Sequence, residues 1–268
     1  MLHYQPKADL GSGQIHSVEA LVRWQHPEHG LLGPGDFIPL AERTGLIHPL
    51  TRWVLDHALE QAAQWQHAGR HLSVAVNIST RCLLDPTLPD QVTSQLATWQ
   101  VPPDRLVLEI TESAVMADPN LALEVLGRLH RLGVGLAVDD FGTGYSSMAY
   151  LKELPVDELK IDRSFVSQMA TSPSDAVIVR STINLGHNLG LRVVAEGVET
   201  QHAWQQLSAL GCDIAQGYYL GRPMPAAELE HHTTSPWRPK PRPRSRPTPD
   251  HRPDPRARHG LTAEGLCR

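Results

Sequence analysis

Leu106-Val107-Leu108-Glu109-Ile110-Thr111-Glu112 is the stretch on which the fold turns. Its apolar run, 105–110, has the length of a buried strand, yet a carboxylate sits inside the alternation. Successive strand side chains point to opposite faces, so Leu108 and Ile110 face one way and Glu109 the other. In a sheet covered by helices, the leucine and isoleucine turn towards the helices and the acid turns inward.

Other runs close in the same manner. Segments 72–78, 135–139, 157–161, 191–195 and 213–215 also read as short buried strands. They lead to Asn77, to Asp139-Asp140, to Lys160 and Asp162, to Glu196 with Glu199 a turn later, and to Gln216. Near the start, the alternating stretch 15–24 contains Glu19, and a further strand spans 2–10. Segments 50–67, 120–132, 175–189 and 201–210 carry 3.6-residue periodicity and read as helices. Alternation of this kind calls for parallel strands joined by crossovers. It suits either a closed (β/α)8 barrel or an open doubly wound sheet, although no Gly-rich phosphate fingerprint follows the first strand.

Polar groups at the ends of successive parallel strands gather at one end of a barrel, where active sites form. Capping of the next helix accounts for any one of them. It does not account for six strands in a row, nor for Glu109 and Lys160 lying within the strand pattern itself. Lys160 reads as the only in-strand cation, so the buried carboxylates outnumber their partners and a metal is the expected source of charge. All-oxygen ligands point to Mg²⁺ or Mn²⁺. The Asp139-Asp140 pair suits two ions roughly 3.5–4 Å apart, the arrangement that serves in-line phosphoryl displacement.

Composition narrows the remaining classes. From Pro236 onward there are nine Lys/Arg against three acids, leaving a body with fifteen against twenty-six. A body that acidic is a poor DNA or RNA binder. No run reaches the roughly 18 apolar residues of a membrane span, and residues 1–13 are too polar for a secretory signal, so a cytoplasmic location is expected. Cys82, Cys212 and Cys267 form no Cys-x-x-Cys pair and suggest neither a disulfide framework nor a zinc site. Histidines such as His26, His29, His57 and His67 share no strand-end position and read as surface or core residues. The expected domains are a barrel over 1–232 and a disordered Pro/Arg-rich tail over 233–268.

These residues resemble a known family. Glu19-Ala20-Leu21 resembles the signature that names EAL domains. Asn77-Ile78-Ser79, Glu109-Ile110-Thr111-Glu112-Ser113, the block 139–147 beginning Asp139-Asp140-Phe141-Gly142, Leu159-Lys160-Ile161-Asp162, Ala195-Glu196-Gly197-Val198-Glu199 and Gln216-Gly217-Tyr218 are similar to its later blocks, in order. The resemblance covers about residues 2–229. It implies a modified (β/α)8 TIM-type barrel whose first strand is antiparallel, and hydrolysis of cyclic di-GMP to linear pGpG by a cyclic-guanylate-specific phosphodiesterase. A non-catalytic cyclic di-GMP receptor on the same barrel is the alternative.

The resemblance also implies roles. Glu19, Asn77, Glu109 and Asp139 would hold one ion, and Asp139 with Asp140 the second, with Glu196 bound directly or through its water. Lys160 would polarise the attacking water, with Glu196 as the alternative base, and Glu199 would complete the hydrogen-bonding shell. Gln5, Leu21, Arg23, Asp162 and Gln216 would meet the substrate, and Glu112 would anchor a hinged loop at 140–144. A homodimer, an upstream sensor or GGDEF domain in a longer form, and a helix ahead of the first strand that is missing here complete the expectation.

Overall fold

The computed structural model describes residues 1–142 and 148–232. The expected tail, the loop residues 143–147 and the side chain of Met148 lie outside the described residues.

Ten strands are described: β1 (Leu2–Asp9), β2 (Ile15–Val22), β3 (Trp24–His26), β4 (Gly30–Leu32), β5 (Ser73–Ile78), β6 (Leu106–Thr111), β7 (Gly135–Phe141), β8 (Glu158–Ile161), β9 (Arg192–Ala195) and β10 (Ile214–Gln216). The helices are α1 (Pro34–Thr44), α2 (Ile47–His67), α3 (Thr80–Leu83), α4 (Leu88–Trp99), α5 (Glu112–Ala117), α6 (Pro119–Arg131), α7 (Met148–Glu153), α8 (Arg163–Gln168), α9 (Pro173–Asn188), α10 (Gln201–Ala209) and α11 (Ala226–His232). Eight strands close a barrel in the order β1-β10-β9-β8-β7-β6-β5-β2, while β3 and β4 form a separate hairpin. The closed form of the α/β alternation is therefore the one adopted.

β1 runs antiparallel to both of its neighbours, and the other barrel pairings are parallel. The reason is local. Only five residues separate β1 from β2. That link is far too short for a crossover and must make a hairpin. Asp9 closes it by accepting the Ser12 N–H at 2.6 Å, and Gly13 supplies the left-handed residue at φ 71°.

The apolar core lies between strands and helices. Val74, Val76, Leu106, Leu108, Ile110, Leu136 and Val138 face outward from the barrel onto α2, α4 and α6 through residues such as Leu55, Leu59, Val92, Val125 and Leu129. A second group, with Ile161, Val193 and Ala195, packs against Val179, Ile183, Trp204 and Leu207. Inside the barrel the buried apolar cluster shrinks to Ala75, Val107 and Ala137. Val194 and Ile214, in register with Lys160 and with each other, add to the apolar interior, and the axis also carries buried polar side chains such as Lys7, Glu109 and Lys160. No described helix is long and apolar enough to cross a membrane.

Caps separate structural polar residues from the others. Ser79, Thr111, Asp162 and Thr200 each accept a backbone N–H at the start of α3, α5, α8 and α10. Asn77, Glu109, Lys160, Glu196 and Gln216 cap no helix and remain for other use.

At Gly186, α9 lies so close to β9 that an added Cβ would overlap Val193 Cγ2. Replacing a helical glycine by alanine ordinarily gains about 1 kcal/mol. Here overpacking of about 1–3 kcal/mol should outweigh it. Gly186→Ala is therefore expected to lower the urea midpoint, and an unchanged or higher midpoint would show that the helix can withdraw freely.

Candidate metal centre

The strand pleat and the barrel register bring the polar residues together. Glu19 on β2 is opposite Gln5 on β1, Asn77 on β5 is level with Glu109 on β6, and Lys7 on β1 is opposite Gln216 on β10. All except Asn77 are buried. Asn77 donates to Glu19 Oε1 at 2.6 Å, and Gln216 Nε2 donates to Glu19 Oε2 at 2.5 Å and to Gln5 Oε1 at 3.0 Å. Gln5 in turn donates to the Gly221 carbonyl.

Lys160 on β8, with 0% exposure, is the hub. Its ammonium reaches Glu109 Oε2 at 2.7 Å, Asp139 Oδ1 at 3.0 Å and Glu196 Oε1 at 2.7 Å. Glu196 stands just past β9, its own N–H held by the Ile161 carbonyl. The second oxygen of Glu109 pairs with Lys7, which sequence reading passed over. Lys160 is thus not the only in-strand cation. The alternation of Gln5 and Lys7 in β1 was the available signal, but how far an antiparallel strand carries Lys7 into the barrel depends on its pairing with β2 and β10.

Asp139 and Asp140 are adjacent, and a regular strand would send them to opposite faces. The pairing of β7 with β8 shifts register between Val138 and Phe141, and Asp140 takes a left-handed φ of 55°. This irregularity brings Asp140 back to the mouth, where ligand oxygens of Asp139, Asp140 and Glu196 lie within 4.8 Å of one another. Asp162 combines its cap on α8 with a hydrogen bond to Asp140.

The electrostatics follow this crowding. Burial and the neighbouring Asp139 and Asp162 carboxylates push Asp140 up to about 6. Burial raises Glu196 to about 8; Lys160 pulls it down, while Asp139, Glu19 and Glu109 push it up. Glu19 is raised by burial and by Glu109. Burial acts on Glu109 in the same sense, but Lys160 and Lys7 overcome it and hold that carboxyl down at about 2. Both lysines stay above their ordinary value because the surrounding acids outweigh the cost of burial.

These residues fit a hard divalent ion. The donors are all oxygens, their carboxylates repel one another, and Gln216 Oε1 is buried without a hydrogen-bond partner among the described residues. The acidic cluster Asp139–Asp140–Glu196 is able to hold a metal.

The remaining expected residues distribute unevenly. Leu21, Asn77 and Thr111 line a groove of about 440 Å³ beside the cluster, with Ile38 and Pro39 of α1. Arg23 lies just past β2 with Nη1 on the Val22 carbonyl. Glu112 is buried and accepts the Gly142 N–H at 3.4 Å, at the edge of the loop expected to hinge. Glu199 is exposed and joins none of the contacts described for the cluster. A larger cavity, about 620 Å³, opens at the opposite mouth among Ser73, Gly135, Glu158 and Arg192, away from the cluster.

Comparison with known proteins agrees with this architecture. A family model described as EAL domain matches residues 1–223. The bifunctional diguanylate cyclase/cyclic di-GMP phosphodiesterase MucR of Pseudomonas aeruginosa is 48% identical over 230 residues, 85% of this chain and 34% of MucR. The cyclic di-GMP phosphodiesterase NbdA of the same organism is 46% identical over 230 residues, 85% of this chain and 29% of NbdA. The chain thus spans about a third of the length of the curated relatives it matches. Among solved structures, the MucR phosphodiesterase in complex with c-di-GMP superposes with a TM-score of 0.83 at 48% identity, covering 85% of this chain and 93% of that one. With the barrel, the strand-end residues and the family match in agreement, this chain belongs to the EAL domain family.

Proposed function

We propose that this chain hydrolyses one phosphodiester bond of cyclic di-GMP to linear pGpG in a Mg²⁺- or Mn²⁺-dependent reaction, lowering the messenger in the bacterial cytoplasm. The observation that carries this reading is the Asp139–Asp140–Glu196 cluster, joined to Glu109 through the buried Lys160, at the mouth of an EAL barrel. Glu19, Asn77, Glu109 and Asp139 would hold one ion, and Asp139, Asp140 and Glu196 the other. When bound, such ions supply Lewis-acid stabilisation of the attacking and leaving oxygens of an in-line displacement.

The chain's own residues do the rest. Lys160 remains an ammonium among four acids and takes no proton; with its three donors held by Glu109, Asp139 and Glu196, it would polarise the attacking water through its charge. Glu196 would be the alternative acceptor of the water's proton once a bound cation keeps its carboxyl ionised. Gln216 and Glu199 complete the hydrogen-bonding shell. Arg23 would grip a substrate phosphate with its planar fork, while Gln5, Leu21 and Asp162 line the nucleotide path. Glu112, on Gly142, anchors the loop after β7. A homodimer and an upstream sensor or GGDEF domain belong to the same reading, since the matched relatives are longer than this chain.

Purified chain incubated with cyclic di-GMP and Mg²⁺ or Mn²⁺ should yield pGpG, and a chelator should stop it. Asp139→Asn and Glu196→Gln should each lower kcat/KM by about 10²-fold or more. Tight binding of the nucleotide with no product from the parent chain would make it a receptor and not an enzyme.

The raised carboxylates also predict a pH dependence. Unfolded Asp and Glu titrate at roughly 3.9 and 4.3, whereas folded Asp140 and Glu196 sit at about 6 and about 8. From about pH 4 to pH 8 the folded chain holds more protons than the unfolded one, so its stability declines as pH rises. In chelator, the thermal midpoint should fall between pH 5 and pH 8. Glu196→Gln should flatten that slope, and added Mn²⁺ should stabilise more at pH 8 than at pH 6, because its ligands must be deprotonated. A parent midpoint that rises with pH under chelator would contradict the crowding.

A further inference from the structure

Lys7 is a buried cation that the proposed chemistry does not use. Its exposure is 2%, and its ammonium pairs with Glu109 Oε1. Because β1 runs antiparallel, Lys7 lies further from the carboxylate mouth than Gln5, and it lines the 620 Å³ cavity at the opposite end together with Ser73, Gly135 and Glu158. Lys160 has three donors and divides them among Glu109, Asp139 and Glu196. It therefore holds Glu109 by one oxygen, and the other oxygen belongs to Lys7.

We propose that Lys7 is a positioning residue for the metal centre, fixing the Glu109 carboxylate from the far side of the barrel. The inference rests on reading the carboxylates as a divalent-ion site. A carboxylate held at one oxygen can still turn about its Cγ–Cδ bond, whereas separate donors on its two oxygens fix its plane. Lys160 alone cannot do this, because a shift of its ammonium towards Asp139 or Glu196 would carry Glu109 with it. Lys7 has no such competing carboxylate contact among the described ion pairs. It acts only through Glu109, since its burial and its position below Glu109 keep it from any nucleotide at the upper mouth. Partners that orient a metal-binding carboxylate typically cost 10–100-fold in metal affinity when removed.

Isothermal titration of Mn²⁺ into the full chain, without nucleotide, tests this. Lys7→Met keeps the length and apolar stem but leaves Glu109 Oε1 without its donor; it should weaken Mn²⁺ binding by about 10–100-fold. Lys7→Gln, which retains an N–H, should recover part of that loss. Circular dichroism melts accompany each titration. A folded Lys7→Met chain that binds Mn²⁺ as the parent does would overturn the proposal. So would unfolding of both variants, which would make Lys7 a residue of the barrel's stability alone. If the parent binds Mn²⁺ but releases no pGpG, the phosphodiesterase reading fails and the same titrations still decide the role of Lys7. A parent that does not bind Mn²⁺ defeats both.

Discussion

Glu109 is a carboxylate buried away from bulk solvent, clamped between two lysines buried as deeply. Taking ions out of water costs several kcal/mol each, and only close pairing offsets it. The two lysines meet five acids around them: Glu19, Glu109, Asp139, Asp140 and Glu196. Two cations cannot neutralise five carboxylates. The chain relieves the excess by raising Asp140, Glu196 and Glu19 towards their protonated forms, while Glu109 is held firmly ionised. The site is thus built around one fixed charge, with adjustable charges towards the mouth.

The barrel exists in a form that tolerates this. Its apolar interior consists of small and medium residues, Ala75, Val107 and Ala137 with Val194 and Ile214, and the long side chains of Lys7, Glu109 and Lys160 fill the next layer. Hydrophobic burial is delegated to the outer faces of the strands, where Val, Leu and Ile meet the helices. The antiparallel first strand serves the same purpose. A hairpin places Gln5 and Lys7 inside the barrel beside Glu19 and Glu109, whereas a βα unit in that position would have brought a parallel strand and another strand end.

Much of this was readable because strand alternation is a strict rule. Glu109 between Leu108 and Ile110, and Lys160 between Leu159 and Ile161, leave one direction for the polar group. Helix capping accounts for Asp162, which caps α8, but not for Glu109 and Lys160, which pair with each other inside the barrel. Two features were not readable. Asp140 reaches the mouth through a left-handed residue and a register shift, which depend on how β7 meets β8 rather than on the Asp-Asp dipeptide. Lys7 depends on the depth to which β1 runs. Glu199, close to a strand end in sequence, is exposed, and its place relative to the cluster could not be read from that spacing.

Lys160 deserves a different weight from the one its water-polarising role suggests. In the chain by itself it satisfies Glu109, Asp139 and Glu196 at once, and so holds β6, β7 and the end of β9 at one spacing. Any divalent ion engaging Asp139 and Glu196 would draw on carboxylates that Lys160 already holds by one oxygen each. A carboxylate has a second oxygen and further lone pairs, so ion and ammonium could share the same two groups without displacing the lysine. The lysine therefore sets the spacing of the site before any ion is present. An uncharged substitute would remove a donor and also the counter-charge that lets three acids stand this close together.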